Sequence, residues 1–271
     1  VGAGLVGRRT AMALVAHGFN NVALLSQTRE AKTCDGVIVG QGWPHPAAQD
    51  ADIVVLATES ARQPAMAIQL VKSGIHVVTT ADNPADIERL WALDDIATEA
   101  GATLVIGAAY SPGLSTLLAS YLVRTLDTVD TISTAQFGTG GPACAHEHHR
   151  AMGSSAREVH AGVLRTSRGG SGRELVWFPD PVGAADCYRA GLADPFLLHQ
   201  AFPTVRRIGS RQAATRRDRL TSRLFMLRPP HVEGLLGAVW AEVRGHVDGR
   251  WGCWPRPRAA EPVRRLPVPR S

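Results

Sequence analysis

Three glycines spaced Gly2-x-Gly4-x-x-Gly7 constrain this chain more than any other feature. Val1 to Gly4 reads as the end of an apolar strand, so the sequence starts inside that strand. Leu5 to His17 reads as the helix that follows, stopped by Gly18. In that setting each glycine has its own task. Gly2 permits a tight turn, Gly4 lets the backbone approach a pyrophosphate with no Cβ in the way, and Gly7 lets the helix pack closely on the strand. The helix start, with the main chain of Leu5 and Val6, then offers free N–H groups and the positive end of the helix dipole to phosphates. The bland alternative is a glycine-rich turn that holds nothing.

The next hundred residues repeat the rhythm of a parallel α/β sheet. Strands are expected at Val22–Leu25, Val37–Val39, Asp52–Ala57, Ile75–Thr79 and Thr103–Ile106. Helices are expected from Ala65 to Val71, from Asn83 to Ala100 and from Ser111 through Leu126. Counting the first, six strands with helices between them make a doubly wound Rossmann sheet. A first domain of residues 1–126 follows.

Residues 127–249 change character. Asp130–Phe137 and Gly237–Val247 read as strands and Gln212–Leu224 as an Arg-rich helix. Val159–Leu164 and Glu174–Phe178 suggest a hairpin turning at Arg168–Gly172. This is an α+β domain for substrate or dimer contacts, with a homodimer left open. Beyond it, residues 250–271 are rich in Arg and Pro, lose all periodicity and are expected to be a disordered tail.

Composition narrows the function classes. At 271 residues, 45% apolar and 20% charged, the chain is an ordinary globular one. No apolar run reaches the ~20 residues of a membrane span. Cys34, Cys144, Cys187 and Cys253 lack C-x-x-C spacing and read as reduced thiols of a cytoplasmic protein. The net charge of +5 is carried by arginine, since only Lys32 and Lys72 are lysines. Eight arginines crowd Arg206 to Arg228 without interleaved aromatics before Phe225, a solvated face rather than a nucleic-acid surface.

Cofactor choice is read at the end of the second strand, where a carboxylate would hold the ribose 2′-OH of NAD and repel a 2′-phosphate. The chain there runs Leu25-Ser26-Gln27-Thr28-Arg29. Ser26, Thr28 and Arg29 favour NADP, with NAD the alternative. At the carboxyl ends of the later strands, Ala57, Thr58 and Thr80 face the nicotinamide-side ribose. Asp82 and Tyr110 are candidate proton donors by position. Pro112 and Gly113 open a helix whose N-terminus suits a substrate carboxylate, or else Ser111 is an ordinary helix cap. Cys144, His146 and His148 would face one side of a strand, but the segment looks helical and lacks a fourth ligand, so no metal is expected. His146 and His148 remain candidates for general acid or base work.

Gly2-Ala3-Gly4-Leu5-Val6-Gly7, the strand Asp52–Ala57 and Pro112-Gly113-Leu114-Ser115 together resemble the saccharopine dehydrogenase-like oxidoreductases. Val176-Trp177-Phe178-Pro179-Asp180-Pro181-Val182-Gly183, followed by Asp186-Cys187-Tyr188, is similar to that family's second domain. The resemblance covers residues 1–248. It implies a dinucleotide-binding domain joined to an α+β domain that closes over a small amino- or carboxylate-bearing substrate, with hydride transfer as the chemistry. It adds Asp186 and Tyr188 as substrate-site or proton-donor residues, Tyr188 having a core role as its alternative. Neither lysine is placed for catalysis, and no returning helix follows Val247, departures that suggest an incomplete or degraded member. The rival functions are a non-catalytic dinucleotide-binding protein and, more remotely, a basic nucleic-acid-associated one.

Overall fold

Main-chain hydrogen bonds at the first two residues organise the amino-terminal unit, Val1–Ala109. The structure is a computed structural model and describes residues 1–26, 36–139, 141–224, 226 and 236–254. In chain order this unit contains α1 (Leu5–Ala16), β1 (Val22–Ser26), β2 (Val37–Gln41), α2 (Pro46–Gln49), β3 (Ile53–Leu56), α3 (Gln63–Lys72), β4 (His76–Thr79), α4 (Pro84–Trp91), α5 (Asp94–Glu99) and β5 (Leu104–Val105). Strands β1 and β2 pair in parallel, as do β3, β4 and β5. The Val1 nitrogen donates to the Val55 carbonyl (2.5 Å), Ala57 N–H donates to Val1 (2.7 Å) and Gly2 N–H donates to Leu25 (2.8 Å). Val1–Gly2 therefore lies between β1 and β3 as a strand stub. The order β2-β1-stub-β3-β4-β5 is the doubly wound 3-2-1-4-5-6 arrangement.

Local chemistry explains the helices. α1 ends at Gly18 in the left-handed region (φ 85°), where Phe19 N–H returns to the Leu14 carbonyl and Gly18 N–H to Val15. α3 carries Pro64 in its first turn, and α4 starts at Asn83, whose side chain accepts from Ala85 N–H (2.9 Å). The helix expected to run unbroken from Asn83 to Ala100 is two helices, because Leu93 turns into the core between them. The core is mostly apolar, with Leu56 and Val77 of the sheet and Val71, Ile87 and Leu90 of the helices all buried.

The second unit begins at Tyr110. It contains α6 (Leu114–Val123), β6 (Thr128–Phe137), α7 (Pro142–Gly153), β7 (Ala156–His160), β8 (Val163–Ser167), β9 (Glu174–Trp177), β10 (Ala184–Arg189), α8 (Asp194–Ala201), β11 (Arg207–Ala213), α9 (Arg216–Thr221), β12 (Ala238–Val247) and β13 (Arg250–Trp254). The strands form one mixed sheet of order β13-β12-β6-β11-β10-β9, with β7 beside β11 and β8 beside β7. Ile132, Val159, Ile208, Ala241 and Val243 on one face pack against Ala119 and Leu122 of α6 and Leu198 of α8. That packing draws the helix after Ser111, expected in the first domain, into the second unit.

Three expectations here are corrected. The hairpin turn is Ala161-Gly162, both with positive φ, and joins β7 to β8. The Arg168–Gly172 segment instead leads to β9, which pairs with β10. The Arg-rich stretch is a strand, β11, and then only the short α9, whose Thr215–Asp218 capping box fixes its start. Residues 250–254, expected in the tail, are β13, paired antiparallel with β12; residues 255–271 lie outside the described residues.

On β6 and β11 the inward face grows more polar along the strands. Ile132 pairs with Ile208, then Thr134 donates to Ser210 (2.9 Å), then Gln136 donates to Gln212 (3.4 Å). Gln212 Nε2 in turn donates to the His148 carbonyl (2.9 Å), tying α7 to this row. On the opposite face Glu158 is buried between Arg189 and Arg211, 2.5 Å from each, and these guanidiniums hold its carboxyl below the usual carboxylate range against the opposing effect of burial.

Two outcomes follow. A Cβ on Gly7 would stand 1.7 Å from the Gly2 carbonyl oxygen, whereas one on Gly4 meets nothing within 4 Å. Gly7→Ala should cost about 3 kcal/mol in urea unfolding, and Gly4→Ala should stay within about 0.5 kcal/mol of wild type. Burial pushes the His148 imidazole down from 6.5 to about 4. Below pH 6.5 the unfolded chain takes up a proton that the folded chain refuses, so this site's contribution is intact above 6.5 and is lost as pH falls toward 4. His148→Gln should flatten the decline of stability over that window; an unchanged slope would place the imidazole in water.

Candidate functional site

The site is a glycine-lined bend at the carboxyl edge of the first unit's sheet. Gly2 has φ 110°, and a Cβ there would meet the Ala57 carbonyl oxygen at 2.4 Å. Gly7 is held against Gly2 by the close approach of α1 to the stub. Gly4 caps α1 with extended backbone (φ −72°, ψ −172°) and no side-chain cap, and the space a Cβ would take is open. The first intrahelical bond is Arg8 N–H to Gly4 (3.0 Å), so the N–H groups of Leu5, Val6 and Gly7 precede the helix ladder. The structural roles expected of Gly2 and Gly7 match this geometry, and the space beside Gly4 is open.

Bordering the bend are the ends of β3 and β4. Ala57 and Thr58 follow β3, and Thr80 follows β4. Thr80 hydroxyl donates to the Leu56 carbonyl (3.0 Å), and Thr79 hydroxyl accepts from Gly107 N–H (3.2 Å). Gln63, missed in the sequence, is buried beneath this edge and bonded to both Thr58 and Thr80. A polar residue directly before Pro64, at a helix start facing strand ends, was the available signal. Ser26 ends β1 and is buried, its carbonyl accepting from Gly42 N–H (2.8 Å). Thr28 and Arg29 lie outside the described residues. Arg8 adds a cation directly after the third glycine, and its Nε is buried without a hydrogen-bond partner among the described residues. It stands two turns before Val15 on one face of α1, and Val15 lies against Gly36 at the start of β2. Asp82 sits half-buried in the loop between β4 and α4.

The remaining candidates belong to the second unit. α6 is capped by Gly113 (φ 131°), not Ser111, and Gly113 N–H is taken by Thr116 Oγ1 (3.2 Å). Pro112 is buried before it. The carboxylate that meets the hydroxyls here is the chain's own. Ser111 donates to Asp194 (2.7 Å), Ser115 donates to its other oxygen, and burial pushes this fully enclosed carboxyl up. Tyr110 hydroxyl lies where a side chain on Gly237 would touch it at 3.1 Å.

Asp186 pairs with Arg173 (3.0 Å). Tyr188 is a core residue, packed with Met152, Ala190 and Leu192 and covered by the Arg219 guanidinium 5.4 Å from its ring centre. His146 and His148 lie on helix α7, so Cys144, His146 and His148 do not share a strand face. Among the described residues no three His, Cys, Asp or Glu side chains are grouped as metal ligands, and no helix is long and apolar enough to cross a membrane. With its imidazole near 4, His148 is neutral at pH 7 and offers no cationic acid there.

No protein-family model matches the sequence, and no curated protein does. Among solved structures, apo saccharopine dehydrogenase (L-Glu forming) from Saccharomyces cerevisiae is 15% identical at a TM-score of 0.57, covering 82% of this chain and 55% of that one. Looser likenesses include the WlbA dehydrogenase from Bordetella pertussis in complex with NADH and UDP-GlcNAcA (17% identical, TM-score 0.43, 96% of this chain and 82% of that one). Biliverdin reductase from Synechocystis sp. PCC 6803, in complex with biliverdin and NADP+, is 14% identical at a TM-score of 0.42, over 93% of this chain and 81% of that one. The chain spans about half the length of the yeast enzyme. What it shares with that enzyme, over most of its own residues, is a fold: a Rossmann sheet followed by a mixed α+β sheet.

Proposed function

We propose that this chain is an NADP-dependent oxidoreductase of the saccharopine dehydrogenase-like kind, transferring hydride to or from a small amino- or carboxylate-bearing substrate. One observation carries the reading. Gly2 and Gly7 are fixed by clash with the chain's own atoms, but Gly4 faces open space at the head of α1. A purely structural turn needs Gly2 and Gly7; a bound diphosphate needs Gly4.

In this reading the dinucleotide, when bound, supplies the hydride. The N–H groups of Leu5, Val6 and Gly7 hold its diphosphate, and Ala57, Thr58 and Thr80 border its nicotinamide half. NADP is favoured over NAD because β1 ends at Ser26 with Thr28 and Arg29 following and no carboxylate before Glu30, while Arg8 lies on the α1 face that covers the β1–β2 side. A second reading, a dinucleotide-binding protein without catalysis, is favoured by the neutral His148, the buried Tyr188 and the lack of a lysine among the site residues.

NADPH fluorescence titration tests the core of this. Wild type should bind saturably, and Gly4→Val should abolish binding at unchanged melting temperature. Binding that survives Gly4→Val would sink the reading. Arg8→Met and Arg29→Asp should each weaken NADPH about tenfold and spare NADH; equal loss of both would put these arginines outside the 2′-phosphate site. Turnover on a panel of amino acids with keto acids or aldehydes separates the oxidoreductase from the non-catalytic binder.

A further inference from the structure

We infer that Gln63 is a positioning residue for the nicotinamide half of the dinucleotide, an assignment that rests on the reading above. In a sheet of this order the adenine half of a dinucleotide lies over the strands on one side of the stub, and the nicotinamide half over those on the other. Here the second group is β3 and β4, whose carboxyl ends release Ala57–Thr58 and Thr80. The β3–β4 ladder ends with Thr80 N–H on the Leu56 carbonyl (3.1 Å), and Gln63 ties the two strand ends to each other from beneath. Its Nε2 donates to the Thr58 carbonyl (2.8 Å) and to Thr80 Oγ1 (3.3 Å), and its Oε1 accepts from Thr80 N–H (3.0 Å). Thr80 Oγ1 passes the connection on to the Leu56 carbonyl (3.0 Å). One primary amide thus sets two neighbouring strand ends relative to each other.

The side chain is 1% exposed and both ends of its amide are used, so it acts on a ligand only through Thr58 and Thr80. The bonding pattern also specifies the residue. A glutamate would turn an acceptor toward the Thr58 carbonyl, and a methionine would take the amide donor from Thr58 C=O and leave Thr80 N–H with the Leu56 carbonyl alone (3.1 Å). Neither change touches Gly2, Gly4 or Gly7. The loss should therefore fall on half of the ligand.

The test uses the full chain and two probes that differ only in the nicotinamide riboside. NADPH is compared with 2′-phospho-ADP by calorimetry, and NADH with ADP in the same way. Gln63→Glu and Gln63→Met should weaken the intact dinucleotide about tenfold while leaving the truncated probe unchanged. The enhancement of bound-NADPH fluorescence, which reports the nicotinamide environment, should fall with it. Equal weakening of both probes, or of neither, overturns the assignment. If wild type binds neither NADPH nor NADH, the dinucleotide reading has failed and this one falls with it. Should the Gln63 variants not fold, Thr80→Val and Thr80→Ser replace them: Val should show the selective loss, Ser should not, and matching behaviour of the two overturns the proposal.

Discussion

The whole first unit depends on how closely α1 approaches the strand stub. Val1 and Gly2 hydrogen-bond to β1 on one side and β3 on the other, so two small parallel ladders become one sheet only through them. For α1 to cover that seam, its residue nearest the stub must lack a side chain, and Gly7 does. The turn between them must enter the left-handed region under the Ala57 carbonyl, and Gly2 does. Sheet continuity, helix placement and an open bend of main-chain N–H groups are one geometric fact viewed from three sides.

This explains why the proposed binding edge is made of backbone. The side chains nearest it are spent inward: Thr80 on Leu56, Thr79 on Gly107, Gln63 on Thr58 and Thr80. Each closes a gap where a parallel ladder runs out. The bend leaves main-chain amides and the open space beside Gly4, which would suit a diphosphate because its oxygens need donors and close approach rather than shape. In the second unit the same economy has another outcome. A helix start with two serines looks ready for an anion, and the chain fills it itself with Asp194.

The first unit was legible because its information lies in what cannot be there. A missing Cβ, an unbroken apolar run and an Asn-Pro helix start are local and unambiguous. β3, β4 and α4 fall where the apolar runs and Asn83-Pro84 place them. The second unit was read less well because its signals depend on partners far away in sequence. β11 runs Arg207-Ile208-Gly209-Ser210-Arg211-Gln212-Ala213, which looks like part of a charged helix. It becomes a strand because Arg211 finds Glu158 and because Ser210 and Gln212 find Thr134 and Gln136 on β6. The Ala161-Gly162 turn is similar, since alanine gives no hint of a positive φ.

The buried polar groups of the second unit also bear on where its chemistry can lie. Glu158 is paired with two arginines, Asp194 is hydrogen-bonded by two serines, and Tyr188 is enclosed under Arg219. A group fully occupied by its own chain is a poor proton donor, because surrendering the proton or the contact leaves a partner buried and unmatched. Catalytic groups belong among those the fold does not consume. In this chain that reasoning sets aside Glu158, Asp194 and Tyr188 as proton donors.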